Sequence, residues 1–137
     1  MKAIVVFFII ISLFNQDKQM TLEDMKWKNR VVLYFPEEGI GNIPFTDSLH
    51  LAMEDRKIAY FIFEDSVVSN VDITFSPTYL QQLKNKYQLG SKGNLYVLLG
   101  LDGGVKLKKE DSLDWDLIFN TIDAMPMRQS EIRKGSI

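Results

Sequence analysis

Two stretches fix most of what this chain can become. Arg30–Phe35 reads RVVLYF and Lys57–Phe63 reads KIAYFIF, both almost wholly apolar and rich in β-branched and aromatic residues. A strand with one face in water alternates apolar with polar, so a strand without alternation must be covered on both faces. Between the two lies a segment that Pro44 opens and that reads as helical to about Asp55, with Phe45, Leu49, Ala52 and Met53 at helical spacing. Strand, helix and strand, with both strands buried, place the strands parallel in one sheet and the helix across a face of it.

The rest of the chain extends that unit. Glu64–Phe75 reads as irregular. Ser76-Pro77 is an N-cap followed by proline at the first helical position. Leu80, Leu83 and Tyr87 stripe the helix that follows, which stops at Leu89-Gly90, where glycine can take the left-handed cap conformation. Asn94–Leu99 and Val105–Lys108 form a third and a fourth strand joined through the tight-turn sequence Asp102-Gly103-Gly104. Val105 and Leu107 are expected to face inward, with Lys106 and Lys108 outward. A last helix starts at Ser112, with Leu113, Leu117, Ile118 and Ile122 on one face and Asp114 and Asp116 at the positive end of its dipole. The order β-α-β-α-β-β-α predicts an α/β fold: a central mixed sheet of about four strands with helices on both faces, the thioredoxin-like arrangement. A chain of 137 residues suits one such domain.

Met1 and Lys2 precede an apolar run, Ala3–Ile11, extended through Phe14 and ended by Asn15, Gln16 and Asp17. This is the layout of a signal peptide. As a helix of roughly a dozen residues it would reach only about 18 Å, short of the hydrocarbon thickness of about 30 Å, so a membrane span is disfavoured. The expected division is residues 1–16 as signal peptide or N-terminal anchor, 17–29 as a linker docking through Trp27, 30–128 as the thioredoxin-like domain, and 129–137 as a basic, fraying tail. Such a protein is exported, to the periplasm or the outside of the cell, and meets a membrane only through an uncleaved N-terminal segment.

In a thioredoxin-like protein the reactive thiol stands just past the first strand, where free helix amides stabilise a thiolate. Here that place holds Pro36–Asn42, and the chain has no cysteine at all. Thiol redox chemistry, disulfides and thiolate metal sites are thereby excluded. Glu37 and Glu38 at the same mouth repel anions and, as sequence neighbours on a loop, read as solvated rather than as an acid/base pair. The only histidine, His50, excludes His-His metal spacing and reads as a partly buried helix residue. Gly39-Ile40-Gly41-Asn42 lacks the third glycine of a dinucleotide loop. Lys106, Lys108 and Lys109 could join Arg128, Arg133 and Lys134, yet Glu110, Asp111, Asp114 and Asp116 dilute them. With a net charge of −2, nucleic acid is not an expected partner. No catalytic residue, no cofactor-binding residue and no metal ligand is identified.

From Gly100 the chain reads GLDGGVKLKKEDSLDWDLIFNTIDAMPMRQSEIR. The pieces Asp102–Leu107 and Ile122–Arg128, with Trp27–Arg30 before the first strand, resemble the marks of the DUDES thioredoxin-like domains, over about Met20 to Arg133. That resemblance implies a peroxiredoxin-like variant of the fold, exported, standing alone in bacteria and serving as a module of secreted animal proteins such as equarin and the sushi-repeat proteins. It brings no catalytic residue. Leu101 stands where a polar residue is common, and Gln129-Ser130 replaces a more basic pair. The resulting expectation is a binding module for a protein or glycan partner, with Asp102, Lys106, Asp123, Met125, Pro126, Met127 and Arg128 as the candidate surface. Within it, Asp123 and Arg128 are expected to clamp the turn that carries Asp102 and Lys106. The rival is an enzyme whose site uses carboxylates in place of a thiol.

Overall fold

The computed structural model describes residues 20–37, 45–91 and 93–135. The signal or anchor segment 1–16, the loop residues Glu38–Asn42 and Pro44 lie outside the described residues. A 3-10 turn, Leu22–Met25, leads into β1 (Arg30–Phe35), α1 (Asp47–Asp55), β2 (Ile58–Phe63), β3 (Val67–Ser69), α2 (Pro77–Tyr87), β4 (Leu95–Leu99), β5 (Val105–Lys109), α3 (Trp115–Asp123) and α4 (Pro126–Gly135). The strands form one sheet in the order β3-β2-β1-β4-β5. β1 and β2 are parallel, with Arg30 opposite Ile58, and every other pairing is antiparallel.

Every residue of β1, β2 and β4 is buried, as strands without alternation require. Successive side chains divide between two cores. Val31, Leu33, Phe35, Phe61, Val97 and Leu99 pack towards α2 and the 3-10 turn, with Met25, Leu83 and Tyr87. Val32, Tyr34, Tyr60, Ile62, Tyr96 and Leu98 pack towards α1 and α3, with Met53, Ile118 and Ile122. At about 25 cal/mol per Å² of apolar surface, these two layers are the main stabilising contribution.

Without β3 the sheet reads β2-β1-β4-β5, one parallel pair extended by antiparallel strands, which is compatible with a thioredoxin-like fold. Five strands rather than about four, and the edge position of β3, correct the expected count and order. β3 lies in the segment expected to be irregular. It has three residues, and the Asn70 side chain completes its pairing by accepting from the Tyr60 amide at 2.9 Å and donating to the Ile58 carbonyl at 2.9 Å. The supposed tail is also regular, since α4 runs to Gly135. The stretch expected to be a linker docks through Met25, while Trp27 is 64% exposed. α3 starts at Trp115 rather than at Ser112, because the Asp114 carboxylate caps it by accepting from the Leu117 amide at 3.0 Å. Val105, expected inward, is exposed.

Candidate functional site

Residues 123–128 turn the chain from α3 into α4. The Met125 amide closes the end of α3 on the Ile122 carbonyl, and Pro126 starts the next helix, where its missing N–H costs nothing. The two sides of this corner differ.

On the inner side Arg128, 5% exposed, donates from Nε to Asp123 Oδ1 at 3.1 Å, from Nη1 to the Asp55 carbonyl at 2.9 Å and from Nη2 to Asp55 Oδ2 at 2.6 Å. Arg56 grips the same Asp123 through Nε at 3.0 Å and Nη2 at 2.8 Å, and its guanidinium lies 4.4 Å from the Phe119 ring centre. Arg30, 1% exposed, reaches the Arg56 carbonyl at 2.9 Å and Glu131 at 3.2 and 3.3 Å. Glu131 also faces Arg128 at 3.5 Å and Lys57 at 3.6 Å. Burial works against the charge of Asp123, but hydrogen bonds from Arg56 and Arg128 outweigh it and hold the carboxyl below its usual range. Glu131 is likewise held low, chiefly by Arg30 against the effect of burial. Burial alone would lower the Arg128 pKa, yet Asp55 and Asp123 raise it above the ordinary arginine value.

On the outer side Arg30, Gly100, Leu101, Asp102, Lys106, Met125, Pro126 and Met127 line a cleft of about 240 Å³. Lys106 Nζ pairs with Asp102 Oδ2 at 3.1 Å, and Asp102 Oδ1 accepts from the Gly104 amide at 3.0 Å. The Gly104 amide, and then Lys106, hold the Asp102 carboxyl below its usual range. Gly103 takes φ +80°, the left-handed region that the turn demands.

Five of the seven candidate residues therefore meet around one cleft: Asp102, Lys106, Met125, Pro126 and Met127. Asp123 and Arg128 do meet each other, but they clamp Asp55 and Arg56 at the end of α1 rather than the Asp102–Lys106 turn. Sequence reasoning missed Arg30, Asp55, Arg56 and Glu131. The available signal was Arg30, a charge opening a strand buried on both faces, which demands a partner.

At the other end of β1 the Glu37 amide donates to Asn94 Oδ1 at 2.6 Å, tying the mouth to the loop before β4. His50 is exposed rather than partly buried, with its ring 5.8 Å from that of Phe45. It shares a polar cleft of about 390 Å³ with Lys28, Glu54 and Lys57. Among the described residues no three acidic or histidine side chains are grouped to hold a metal ion. Burial raises the pKa of Tyr34, Tyr60, Tyr79 and Tyr96, so these phenols stay protonated. The outer cleft offers an ionised carboxylate, an ammonium and an apolar wall. That set is suited to holding a group rather than to moving a proton.

The family model described as a domain of unknown function, DUF4174, matches residues 21–131, and the chain belongs to that family. No curated protein and no solved structure matches it.

Proposed function

We propose that this DUF4174 protein is an exported, cysteine-free binding module on a thioredoxin-like scaffold of the peroxiredoxin-like, DUDES variety, and that it takes a protein or glycan partner at the corner between the β4–β5 turn and the start of α4. One observation carries the reading. Leu101, Asp102 and Lys106 on one side and Met125–Met127 on the other, from separate parts of the chain, close on a single cleft with an apolar wall and a charged rim. Half-exposed Met127 gives that wall a flexible, polarizable side chain able to adapt to a partner. Asp102 is exposed and held ionised by the Gly104 amide and Lys106, which does not suit it to donate a proton.

The test is affinity capture from the envelope fraction with the wild type and with Met127→Glu, a substitution at a half-exposed position. A partner retained by the wild type and lost by the variant supports the reading. Equal retention, or none by either, overturns it. Fractionation with and without residues 1–16 tests export: full-length protein confined to the cytosol removes that part of the proposal.

A further inference from the structure

The outer cleft has three features that a plain surface groove lacks. The first is a β-bulge. Leu98 pairs with Leu107 and Leu99 with Val105, so Lys106 is the extra residue of β5. A bulge re-aims the side chain at the inserted position. Here it lays Lys106 back over the turn and into the wall of the cleft.

The second is Gly100. A Cβ at this position would lie 2.5 Å from Lys106 Cε and 3.3 Å from its Cγ, so the absence of a side chain makes room for the lysine stem. Asp102 is fixed on its other oxygen by the Gly104 amide. The ammonium is thus the movable member of the Lys106–Asp102 pair, and it can turn to a new acceptor while the turn stays closed.

The third is Arg30. Its Nη atoms are engaged by the Arg56 carbonyl and by Glu131. Its Nε is buried and has no hydrogen-bond partner among the described residues, although the side chain lines the cleft. A buried donor of this kind is ordinarily satisfied by an ordered water or a neighbouring acceptor, and it lies in the side chain behind the cleft wall. Lys106 is therefore the accessible cation of the cleft, beside the carboxylate of Asp102; Arg30, whose charge Glu131 already balances, lies in its wall, and Leu101, Met125, Pro126 and Met127 supply its apolar lining.

We propose that this cleft binds a carboxylate carried on an apolar stem, with Lys106 as the charged anchor, Arg30 behind it, and Leu101, Met125 and Met127 around the stem. The proposal rests on the reading of the cleft as a binding surface and names the chemistry of the group that enters it. Charge-assisted hydrogen bonds to a carboxylate are about twice as strong as neutral ones, so the anion, rather than the stem alone, sets the preference. The same chemistry has two sources: a free short-chain fatty acid, and the C-terminal carboxylate of a peptide ending in an apolar residue.

The experiment titrates the protein, carrying methyl-labelled methionine, with hexanoate, with hexanamide, and with a short peptide ending in leucine as free acid or as amide. The Met125 and Met127 methyl signals are followed. Saturable shifts with an acid, weakened about tenfold or more in the amide, are expected. Lys106→Met reproduces that weakening and Lys108→Met does not. Hexanoate and peptide binding alike identify the small acid as sufficient. Peptide without hexanoate identifies a chain terminus. No saturable shift with either acid up to about 10 mM, equal binding of acid and amide, or an unaffected Lys106→Met overturns the proposal. If capture of a partner still depends on Met127 in that case, the broader binding reading stands without this ligand. If it does not, both fall.

Discussion

Met127 and Arg128 are neighbours in sequence, yet the first is 50% exposed at the outer cleft and the second 5% exposed in the inner network. One residue along a helix turns the side chain by about 100°, enough to put the two on opposite sides of the corner. Both sides use the same chemistry of cation and carboxylate. Inside, Arg30, Arg56 and Arg128 share Asp55, Asp123 and Glu131 across four elements. Outside, Lys106 and Asp102 form a partly exposed surface pair. An exposed pair is screened and contributes little, whereas removing one partner from a buried set leaves a charge without its counter-ion. The inner side thus fastens α4 to α1 and β1, and the outer side contributes little to that fastening.

The difference is sharpest where burial is deepest. Among the described residues, Glu131→Ala leaves the Arg30 side chain, 1% exposed, with only the Arg56 carbonyl, and it is expected to lower stability by about 3 kcal/mol. Arg128→Ala comes next, at about 2 kcal/mol, because Asp123 keeps Arg56 and Asp55 is already largely in water. Denaturant titration with unchanged m-values measures both. If either variant is as stable as the wild type, the inner side is no more a fastening than the outer.

Acid offers an intermediate lever on the same contrast. Asp123 and Glu131 have folded pKa values below their ordinary ones, because arginine hydrogen bonds outweigh burial. Their contribution is therefore complete above the ordinary carboxylate value of about 4 and is lost as pH falls through the lower folded values. Wild-type protein is expected to lose more stability than Glu131→Ala between about pH 6 and pH 3, since the variant has already lost that share. Parallel acid profiles from thermal melts would detach the carboxylate from the network.

What the sequence displayed of all this follows from how each part is held. β1 has the limits its apolar run announces, and α2 starts where Ser76-Pro77 says it does, because a doubly buried strand and an N-cap are written locally. β3 is not, since three residues completed by the Asn70 side chain carry no pattern of their own. Nor is α4. Its sequence, PMRQSEIRKG, has no apolar face, and it is fastened instead by Arg128 and Glu131 to residues far away in the chain. The candidate surface divides for the same reason: the motif that holds Asp123, Met125, Met127 and Arg128 is continuous in sequence, while the corner it folds into has two sides.

The smallest effect is the most discriminating. Lys106→Met removes an ammonium that is paired only at the surface and keeps an apolar stem of similar length, so stability should change by about 0.5 kcal/mol or less. Lys106 and Arg128 share no hydrogen-bond partner, and combining Lys106→Met with Arg128→Ala is expected to add within about 0.5 kcal/mol. Arg128→Ala and Glu131→Ala, whose side chains face each other at 3.5 Å and join one network, should instead cost less together than their sum. A double-mutant cycle on these three positions tests whether the corner has two independent sides. Coupling between Lys106 and Arg128 as large as that between Arg128 and Glu131 would mean that the cleft and the fastening are one unit, and that a ligand bound outside is felt by the helix inside.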